Sequence, residues 1–332
     1  MKLIVQIPCY NEEQTLPQTL ADIPRQIPGI DAIETLIIDD GSSDRTVEVA
    51  REHGVDHVVR LAGNKGLAMA FKAGLDASLR LGADIVVNTD GDNQYCGADI
   101  ARLVEPILSG EADMVIGARD IEGHQEFSLV KKKLQRLGSW VVRRVSGTAV
   151  ADTTSGFRAY SREAVLRLNV VSQFTYTLET IIQAGKSSIS VVSVPIRHNP
   201  KTRESRLFKG LTNYVKRSVG TILRIYAMYE PLKVFSLIGS VVFLVGAAIG
   251  IRFVVYYLMG QGSGKIQSLI LAAVLMIIGF QTLVIGLLSD LIAANRRLIE
   301  ETLFRTRRLE GTRARTDQAD GAAAAESQGA SP

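Results

Sequence analysis

The chain has 332 residues, which is enough for one large domain and a further element. Its formal net charge of +4 is a small basic excess, and it gives no indication of a nucleic-acid partner. Only two cysteines are present, Cys9 and Cys96, and their spacing is not that of a metal site, so we expect a reducing compartment without a disulfide framework. Pro8 interrupts the first apolar run early, and we expect a first strand there rather than a signal peptide.

Short apolar runs alternate with helical patterns over the first 206 residues. The predicted strands cover residues 2–7, 32–39, 55–60, 85–88 and 114–117. Helices are predicted from about residue 13, over residues 46–53 with Asp44 as the cap, and from residue 64 to residue 81. This alternation is typical of an α/β fold, with a mostly parallel sheet and helices on both of its faces.

Three polar clusters directly follow predicted strands, at residues 8–12, 39–41 and 90–94. Ligands of parallel sheets bind beyond the carboxyl ends of the strands, so we expect these clusters to converge on one rim. The third cluster contains Asp90 and Asp92, separated by one residue. Two carboxylates at this spacing suit Mg²⁺ or Mn²⁺ held against a diphosphate, although the same triplet also occurs in surface turns.

Two long apolar segments follow, at residues 232–259 and 266–294. Each is longer than the roughly 20 residues that cross a bilayer, and the connector at 260–265 is too short for a domain. We therefore predict a transmembrane hairpin, with a pair of buried core helices as the alternative. Basic residues flank both outer ends of the hairpin, whereas the connector contains only Lys265. The positive-inside rule then places the globular domain and both termini on the cytoplasmic side of an inner membrane.

Two other stretches combine basic residues with apolar residues at helical spacing, residues 207–231 and residues 127–145, the second with Trp140. Beside a membrane hairpin, this composition predicts helices in the membrane interface, and an ordinary solvated helix face is the alternative. Residues 296–332 begin as a basic segment, and from residue 311 they lose all periodicity. We predict a disordered cytoplasmic tail there.

The motifs occur in a characteristic order: IPCYNEE at 7–13, IDDGSSD at 38–44, NKG at 64–66 and DGD at 90–92. Together they resemble the glycosyltransferases of family 2, which have the GT-A fold. Two later motifs, TSGFRAY at 154–160 and VPI at 194–196, are similar to the polyprenyl-phosphate branch of that family. This branch contains dolichyl-phosphate mannose synthases and bacterial undecaprenyl-phosphate glycosyltransferases. The resemblance covers about residues 2–206, within a glycosyltransferase domain predicted over residues 1–206.

The resemblance implies an inverting, metal-dependent transfer of one hexose from a nucleotide-diphospho-sugar to undecaprenyl phosphate. It implies Mg²⁺ or Mn²⁺ as the cofactor, and a UDP- or GDP-linked sugar, a polyprenyl phosphate and the membrane as partners, with a homo-oligomer left open. The residues implied to bind the donor nucleotide are Pro8, Tyr10, Asn11, Glu12, Asp39, Asp40, Lys65 and Asp90. The implied metal ligands are Asp90, Asp92 and Gln94.

A polyprenyl phosphate is already anionic, so its reaction needs cations and hydroxyl donors rather than a strong base. The candidates for the acceptor phosphate are Arg119, Ser155, Arg158, Arg203, Ser205 and Arg206. Arg119 and Arg158 best match the arginines of the family, and with Asp92 they form the implied catalytic set. Asp152 and Glu179 are either functional or structural partners of these arginines.

Two other functions are compatible with parts of this pattern. A processive polysaccharide synthase would share the core, but it should show a Gln-x-x-Arg-Trp motif and more spans. Here Trp140 follows Gly138 and Ser139, and only two spans follow. A non-catalytic membrane scaffold with a decayed nucleotide-binding domain would have lost Asp92 or the arginines, which are present.

Overall fold

A computed structural model describes residues 1–119, 129–171, 175–187, 189–199, 219–220, 224, 226–260 and 266–329, and the side chains in these ranges except those of 129–137 and 310–329. The chain divides into two units. The first unit contains Met1–Ile222 together with Thr302–Pro332, and the second contains Leu223–Glu301.

Seven strands of the first unit form one sheet. They are β1 (Lys2–Cys9), β2 (Ala32–Asp39), β3 (His57–Arg60), β4 (Ile85–Asn88), β5 (Met114–Arg119), β6 (Arg158–Ser161) and β7 (Val191–Ile196). Their spatial order is β3-β2-β1-β4-β6-β5-β7, and only β6 runs antiparallel to its neighbours. The predicted mostly parallel sheet is therefore confirmed, and β6 and β7 are strands that the sequence pattern did not indicate.

Helices connect these strands and cover the sheet. They are α1 (Leu16–Ala21), α2 (Thr46–Glu52), α3 (Leu67–Arg80), α4 (Ile100–Leu108), α5 (Leu129–Ser146), α6 (Arg162–Arg167) and α7 (Thr177–Lys186). Successive residues of a strand point to opposite faces, yet Ile4 and Val5 of β1 are both fully buried. The sheet is thus covered on both faces, as expected for parallel strands.

The strand register aligns the carboxyl ends of three strands. Cys9 at the end of β1 pairs with Asp39 at the end of β2, and Gln6 pairs with Asn88 at the end of β4. The loops that leave these strands therefore start at the same edge of the sheet. This edge, called the rim below, is where the three polar clusters of the sequence meet.

The second unit is built from α8 (Pro231–Leu258) and the first part of α9 (Ile266–Gly329). Both helices are long and apolar enough to cross a membrane, and only 11% and 17% of their apolar windows are buried, which is unlike a soluble core helix. The helices pack antiparallel through glycines: a Cβ on Gly279 would lie 2.6 Å from the Phe243 nitrogen, and a Cβ on Gly239 would lie 2.9 Å from the Gly279 oxygen. Close backbone approach of this kind is a common basis of helix association in lipid.

Helix α9 continues to Gly329, whereas the composition predicted disorder after residue 311. The segment is rich in Ala, the strongest helix former, so the lack of an apolar face did not prevent a helix. Within the first unit, Phe304 of this helix is 7% exposed and lies 4.7 Å from the Arg167 guanidinium, and Arg307 donates to the Leu168 oxygen at 3.0 Å. The first unit thus includes a segment beyond the predicted residues 1–206.

The two predicted interfacial stretches are described to different extents. Helix α5 corresponds to the stretch at 127–145, whose first two residues lie outside the described residues. Its Ser139 and Val142 are buried, while Trp140 is 58% exposed. Most of the stretch at 207–231 lies outside the described residues, so its predicted interfacial role stays a prediction.

Candidate active site at the rim of the sheet

The aspartate loop, residues 89–95, follows β4 and carries the two candidate metal ligands. Asp92 accepts the Gln94 backbone N–H at 3.3 Å through Oδ1, and its Oδ2 accepts the Gln94 side-chain amide. Asn93 lies between them with a φ of +54°, a left-handed conformation that Asn tolerates better than most residues. This turn folds Gln94 back onto Asp92. Its amide nitrogen orients the Asp92 carboxylate, and the predicted metal ligation by the Gln94 oxygen stays a prediction.

Asp90 lies in an electrostatically unfavourable position. Burial, and after it the charge of Asp92, raises the pKa of Asp90 to about 7, although the Arg119 guanidinium lowers it. A divalent cation would compensate this repulsion. No group of three or more His, Cys, Asp and Glu side chains converges within the described part of the chain. Mg²⁺ is often held by one or two carboxylates together with substrate phosphates, and the pair Asp90 and Asp92 fits that arrangement.

The loop after β1, residues 10–15, packs directly on the aspartate loop. Thr15 Oγ1 lies 2.8 Å from the Gly91 oxygen and 2.9 Å from Glu12 Oε2. A Cβ on Gly91 would lie 3.1 Å from Cys9 Sγ, so the close approach needs glycine. Burial, and after it the Glu12 carboxylate, raises the pKa of the Cys9 thiol well above its usual value, which keeps Cys9 from acting as a thiolate nucleophile.

The loops after β1 and β2 are joined by side chains that accept backbone N–H groups. Asn11 has a φ of +57°, and its N–H donates to Ser42 Oγ at 2.9 Å. Asn11 Oδ1 accepts the Ser43 N–H at 2.8 Å, and Thr46 Oγ1 accepts the Glu12 N–H at 2.8 Å. Asp44 accepts the N–H of Thr46 at the start of α2, as the sequence predicted. These bonds hold Tyr10 at the surface of the rim, where it is 41% exposed.

The two aspartates implied to bind the nucleoside both hold loops. Asp40 accepts the backbone N–H groups of Lys65 and Gly66 at 2.7 and 2.8 Å, which fixes the turn before α3. Asp39 is fully buried, accepts the Ser42 N–H at 2.9 Å and pairs with the Arg60 Nε at 3.1 Å.

These contacts give two donor-site residues a structural role. The carboxylates of Asp39 and Asp40 bind backbone N–H groups of the donor-site loops, and their predicted contact with the nucleoside stays a prediction. Pro8 is buried within β1 and supports the loop from below. The side chain of Lys65 is exposed at the start of α3, a position where a cation and helix N–H groups suit a phosphate.

Arg119, at the end of β5, is held by the loop before β6. Its Nε donates to Asp152 Oδ2 at 2.7 Å, and its Nη2 donates to Asp152 Oδ1 at 3.2 Å and to Thr154 Oγ1 at 2.8 Å. Burial alone would raise the pKa of Asp152, but the Arg119 guanidinium and Thr154 lower it overall. Asp152 is thus the structural partner of an arginine, one of its two predicted roles. The Arg119 side chain is 19% exposed, so it reaches the rim.

The contacts of Arg158 and Ser155 lie within the protein, and their predicted role at the acceptor phosphate stays a prediction. Both residues are fully buried. The Arg158 guanidinium donates to four oxygens of the protein: those of the Ser155 and Thr153 carbonyls at 2.7 and 3.1 Å, the Thr177 carbonyl at 2.9 Å and the Thr180 hydroxyl at 2.8 Å. Ser155 Oγ accepts the Phe157 N–H at 3.3 Å. Arg158 therefore joins β6 to α7.

Glu179 accepts the N–H of Val171 at 3.0 Å and the side-chain amide of Gln183 at 3.1 Å. It therefore acts at the loop before α7. The remaining acceptor candidates, Arg203, Ser205 and Arg206, lie outside the described residues. The described segment that precedes them extends to Asn199, whose side-chain amide donates to the Asn93 backbone oxygen at 3.1 Å.

Sequence reasoning missed a buried polar group beneath the aspartate loop. Asn88 Nδ2 donates to the Gly156 oxygen at 2.9 Å and to the Tyr176 hydroxyl at 3.0 Å, and Tyr95 Oη accepts the Gly156 N–H at 3.1 Å. Gly156 lies in the TSGFRAY motif, and this glycine is the one feature of the sequence that indicates a close backbone contact here. The three partners are far apart in sequence, so no local pattern joins them.

Comparison with known proteins identifies the family of the chain. The sequence matches the family described as glycosyl transferase family 2 over residues 4–168. It is 30% identical over 308 residues to undecaprenyl-phosphate 4-deoxy-4-formamido-L-arabinose transferase of Klebsiella pneumoniae, and the match covers 88% of each chain. It is 29% identical over 206 residues to polyprenol monophosphomannose synthase of Mycolicibacterium smegmatis, covering 59% of this chain and 76% of the relative.

Among solved structures, the chain resembles glucosyl-3-phosphoglycerate synthase of Mycobacterium tuberculosis in complex with Mn²⁺, UDP and phosphoglyceric acid. The TM-score is 0.54 at 21% sequence identity, and the match covers 68% of this chain and 78% of that one. At this identity the likeness shows the fold, and it agrees with the sheet and helices described above.

Proposed function

The chain belongs to glycosyltransferase family 2, and we propose that it transfers one hexose, with inversion, from a nucleotide-diphospho-sugar to the phosphate of a polyprenyl lipid such as undecaprenyl phosphate. The observation that carries the proposal is the placement of the aspartate pair and Arg119 at one rim, close enough for Arg119 to lower the pKa of Asp90. A carboxylate pair suits a cation-bound diphosphate, and a guanidinium suits a second phosphate. Relatives named for transfer to polyprenol and undecaprenyl phosphate support this acceptor.

The donor would lie over the loops after β1 and β2. Tyr10 is exposed there and offers an aromatic face to the nucleobase, while Lys65 is placed to meet a phosphate. Asp90 and Asp92 would hold Mg²⁺ or Mn²⁺, which neutralises the departing nucleoside diphosphate. Gln94 keeps Asp92 in position for that task through the hydrogen bonds described above.

The acceptor needs positioning more than activation, because a phosphate monoester is already anionic. One phosphate oxygen attacks the anomeric carbon from the side opposite the nucleotide. As that bond forms, the bond from the anomeric carbon to the diphosphate oxygen breaks, and the nucleoside diphosphate leaves with the electron pair. Arg119 would hold the acceptor phosphate, with its own orientation fixed by Asp152 and Thr154. Arg203, Ser205 and Arg206 are further candidates for this contact.

A lipid acceptor would account for the two long apolar helices, which we propose span the membrane. Helices α8 and α9 would anchor the protein, and Trp140 on α5 would enter the membrane interface. Basic residues flank the outer ends of the hairpin, so we place the catalytic unit and both termini on the cytoplasmic face. Nucleotide sugars are made in the cytoplasm of cells, which agrees with this orientation.

The test is a donor screen with the purified full chain and undecaprenyl phosphate in detergent micelles. Labelled UDP- and GDP-hexoses are supplied in turn with Mg²⁺ or Mn²⁺, and the expected product is a lipid-linked monosaccharide. Undecaprenol without phosphate is the matched control and should accept no sugar. Full activity in EDTA would exclude the role of the metal, and a product with several sugars would favour the processive synthase.

A further inference from the structure

Tyr95, at the end of the aspartate loop, contacts two other segments through its side chain. Its hydroxyl oxygen accepts the Gly156 N–H at 3.1 Å. Its ring stacks on Phe157, with centroids 5.0 Å apart and an interplanar angle of 16°, and it meets the His198 ring edge-on at 6.2 Å. One side chain therefore joins the aspartate loop to the turn before β6 and to the segment after β7.

The hydrogen bond to Gly156 bears directly on Asp90. A Cβ on Gly156 would lie 3.2 Å from both carboxylate oxygens of Asp90 and 2.9 Å from the Tyr176 hydroxyl. The turn therefore lies against Asp90 with no room for a side chain between them. A displacement of Gly156 would change the surroundings of that carboxylate.

The same turn holds Arg119. The arginine turn, residues 152–157, contains Asp152 and Thr154, which bind the Arg119 guanidinium, and it also contains Gly156. Because these residues are consecutive in one short segment, the Tyr95 hydroxyl and Arg119 are linked through only a few backbone bonds. The position of Arg119 thus depends on where Tyr95 holds the turn.

The backbone of the aspartate loop makes the third connection. Tyr95 and His198 form an isolated antiparallel bridge, and the backbone carbonyl oxygen of Tyr95 accepts a hydrogen bond from the Asn199 side-chain amide at 3.3 Å. The Asn199 N–H donates to the Gln94 oxygen at 2.9 Å. The chain leaving β7 is therefore fastened to the loop that carries Asp92.

We propose that Tyr95 is a positioning residue that sets the separation between the aspartate pair and Arg119. It also holds the segment that leaves β7, at His198 and Asn199, against the aspartate loop. The role rests on the proposed function, because transfer between two phosphates needs the donor cation and the acceptor cation at a fixed separation. A misplacement of reacting groups by about 1 Å can cost about 10²-fold in rate, and a smaller displacement costs less. Donor binding, which depends on other loops, should be affected far less.

Tyr95→Phe is the sharpest test, because it removes one oxygen and keeps the ring that packs on Phe157 and His198. Ser161→Ala is the matched control. Ser161 Oγ accepts the Ala164 N–H at 3.1 Å at the start of α6 and donates to Asp113 Oδ1 at 3.3 Å, so this variant also leaves one backbone N–H without its acceptor, but at the opposite end of β6. Both variants are made in the full chain, and their melting temperatures are compared first.

Three measurements are then made on wild type and both variants. They are kcat and acceptor KM with undecaprenyl phosphate, the Kd of UDP and GDP with Mn²⁺, and backbone hydrogen exchange. For Tyr95→Phe we expect kcat to fall about tenfold, the nucleotide Kd to change by less than about twofold, and exchange to accelerate over residues 153–157 and 197–199. Ser161→Ala should alter exchange only near α6 and keep the wild-type kcat.

The outcomes separate this proposal from the function on which it rests. Unchanged exchange over residues 153–157 and 197–199 in Tyr95→Phe would overturn the positioning role, and so would a loss of nucleotide affinity that matches the loss of kcat. A wild-type chain that transfers no sugar to any polyprenyl phosphate would overturn the proposed function. The exchange result would still decide whether Tyr95 holds the arginine turn and the exit of β7.

Discussion

Along the donor half of the rim, residues 9–66, loops are tied together by short side chains that accept backbone N–H groups, as Asp40 does for Lys65 and Gly66. Along the acceptor half, residues 119–158, the ties are made by arginines that donate. The donor half thus depends on backbone geometry, and its carboxylates shape loops. In the acceptor half, Arg158 is fully buried and binds oxygens of the protein, whereas the Arg119 side chain is 19% exposed.

The largest expected effect is on the aspartate loop, which lies between the two halves. Asp92→Asn keeps the size of the side chain but removes a charge that the metal requires, so turnover should fall by about three orders of magnitude. The measurement is the initial rate at saturating donor, acceptor and Mn²⁺. Asp113→Asn, at the opposite edge of the sheet, is the control and should keep the rate. A loss below tenfold in Asp92→Asn would remove this residue from the metal site.

Substitutions of the two arginines of the acceptor half should have different effects, one on folding and the other on acceptor binding. Arg158→Ala removes the donor of four buried hydrogen bonds, and each buried oxygen left without any partner costs about 1–3 kcal/mol, so we expect a first unit that unfolds or melts far earlier. Arg119→Lys keeps a charge but loses the forked contact with Asp152 and Thr154, so we expect a normal fold and an acceptor KM raised at least about tenfold. Circular dichroism and acceptor titration distinguish them. A folded Arg158→Ala with a specific acceptor defect would contradict the structural role.

In the donor half, Asp40→Asn should act through the loop before α3. The amide keeps one acceptor oxygen and loses the other, so one of the N–H groups of Lys65 and Gly66 loses its partner. A hydrogen bond to a charged group is worth about 1.5–3 kcal/mol, which predicts a nucleotide Kd at least about tenfold higher. Calorimetry with UDP and GDP in the presence of Mn²⁺ measures this change. The acceptor KM serves as the internal control and should stay near its wild-type value.

The smallest effect is expected for Ser42→Ala, which removes the acceptor of the Asn11 N–H. A neutral hydrogen bond contributes about 0.5–1.5 kcal/mol, so the nucleotide Kd should rise about two- to tenfold with kcat unchanged. The same titration as for Asp40→Asn is suitable. A kcat defect in Ser42→Ala would show that the loop after β1 also positions the acceptor half, and the division between the halves would fail.

Much of the fold followed from local pattern. The run at 32–39 and the run at 85–88 are both observed as strands with these bounds, because each contains consecutive buried apolar residues, at 36–38 and 85–87, that end at a polar residue. β6 was not predicted, since Arg158 opens it and a charged residue does not indicate a buried strand. The burial of Arg158 depends on oxygens from Thr177 and Thr180, which only the folded chain brings near.

The sequence by itself determined the alternation of strands and helices, the position of the aspartate pair, the two long apolar helices and the family. Each of these depends on neighbours in the chain: periodicity, apolar length and motif order. Tertiary structure alone decided that Asp39 and Asp40 hold loops, that Gln94 orients Asp92, that Arg158 is buried while Arg119 is partly exposed, and that Tyr95 joins three segments. These roles depend on which polar groups form hydrogen bonds in the folded protein, and many of their partners are far apart in sequence.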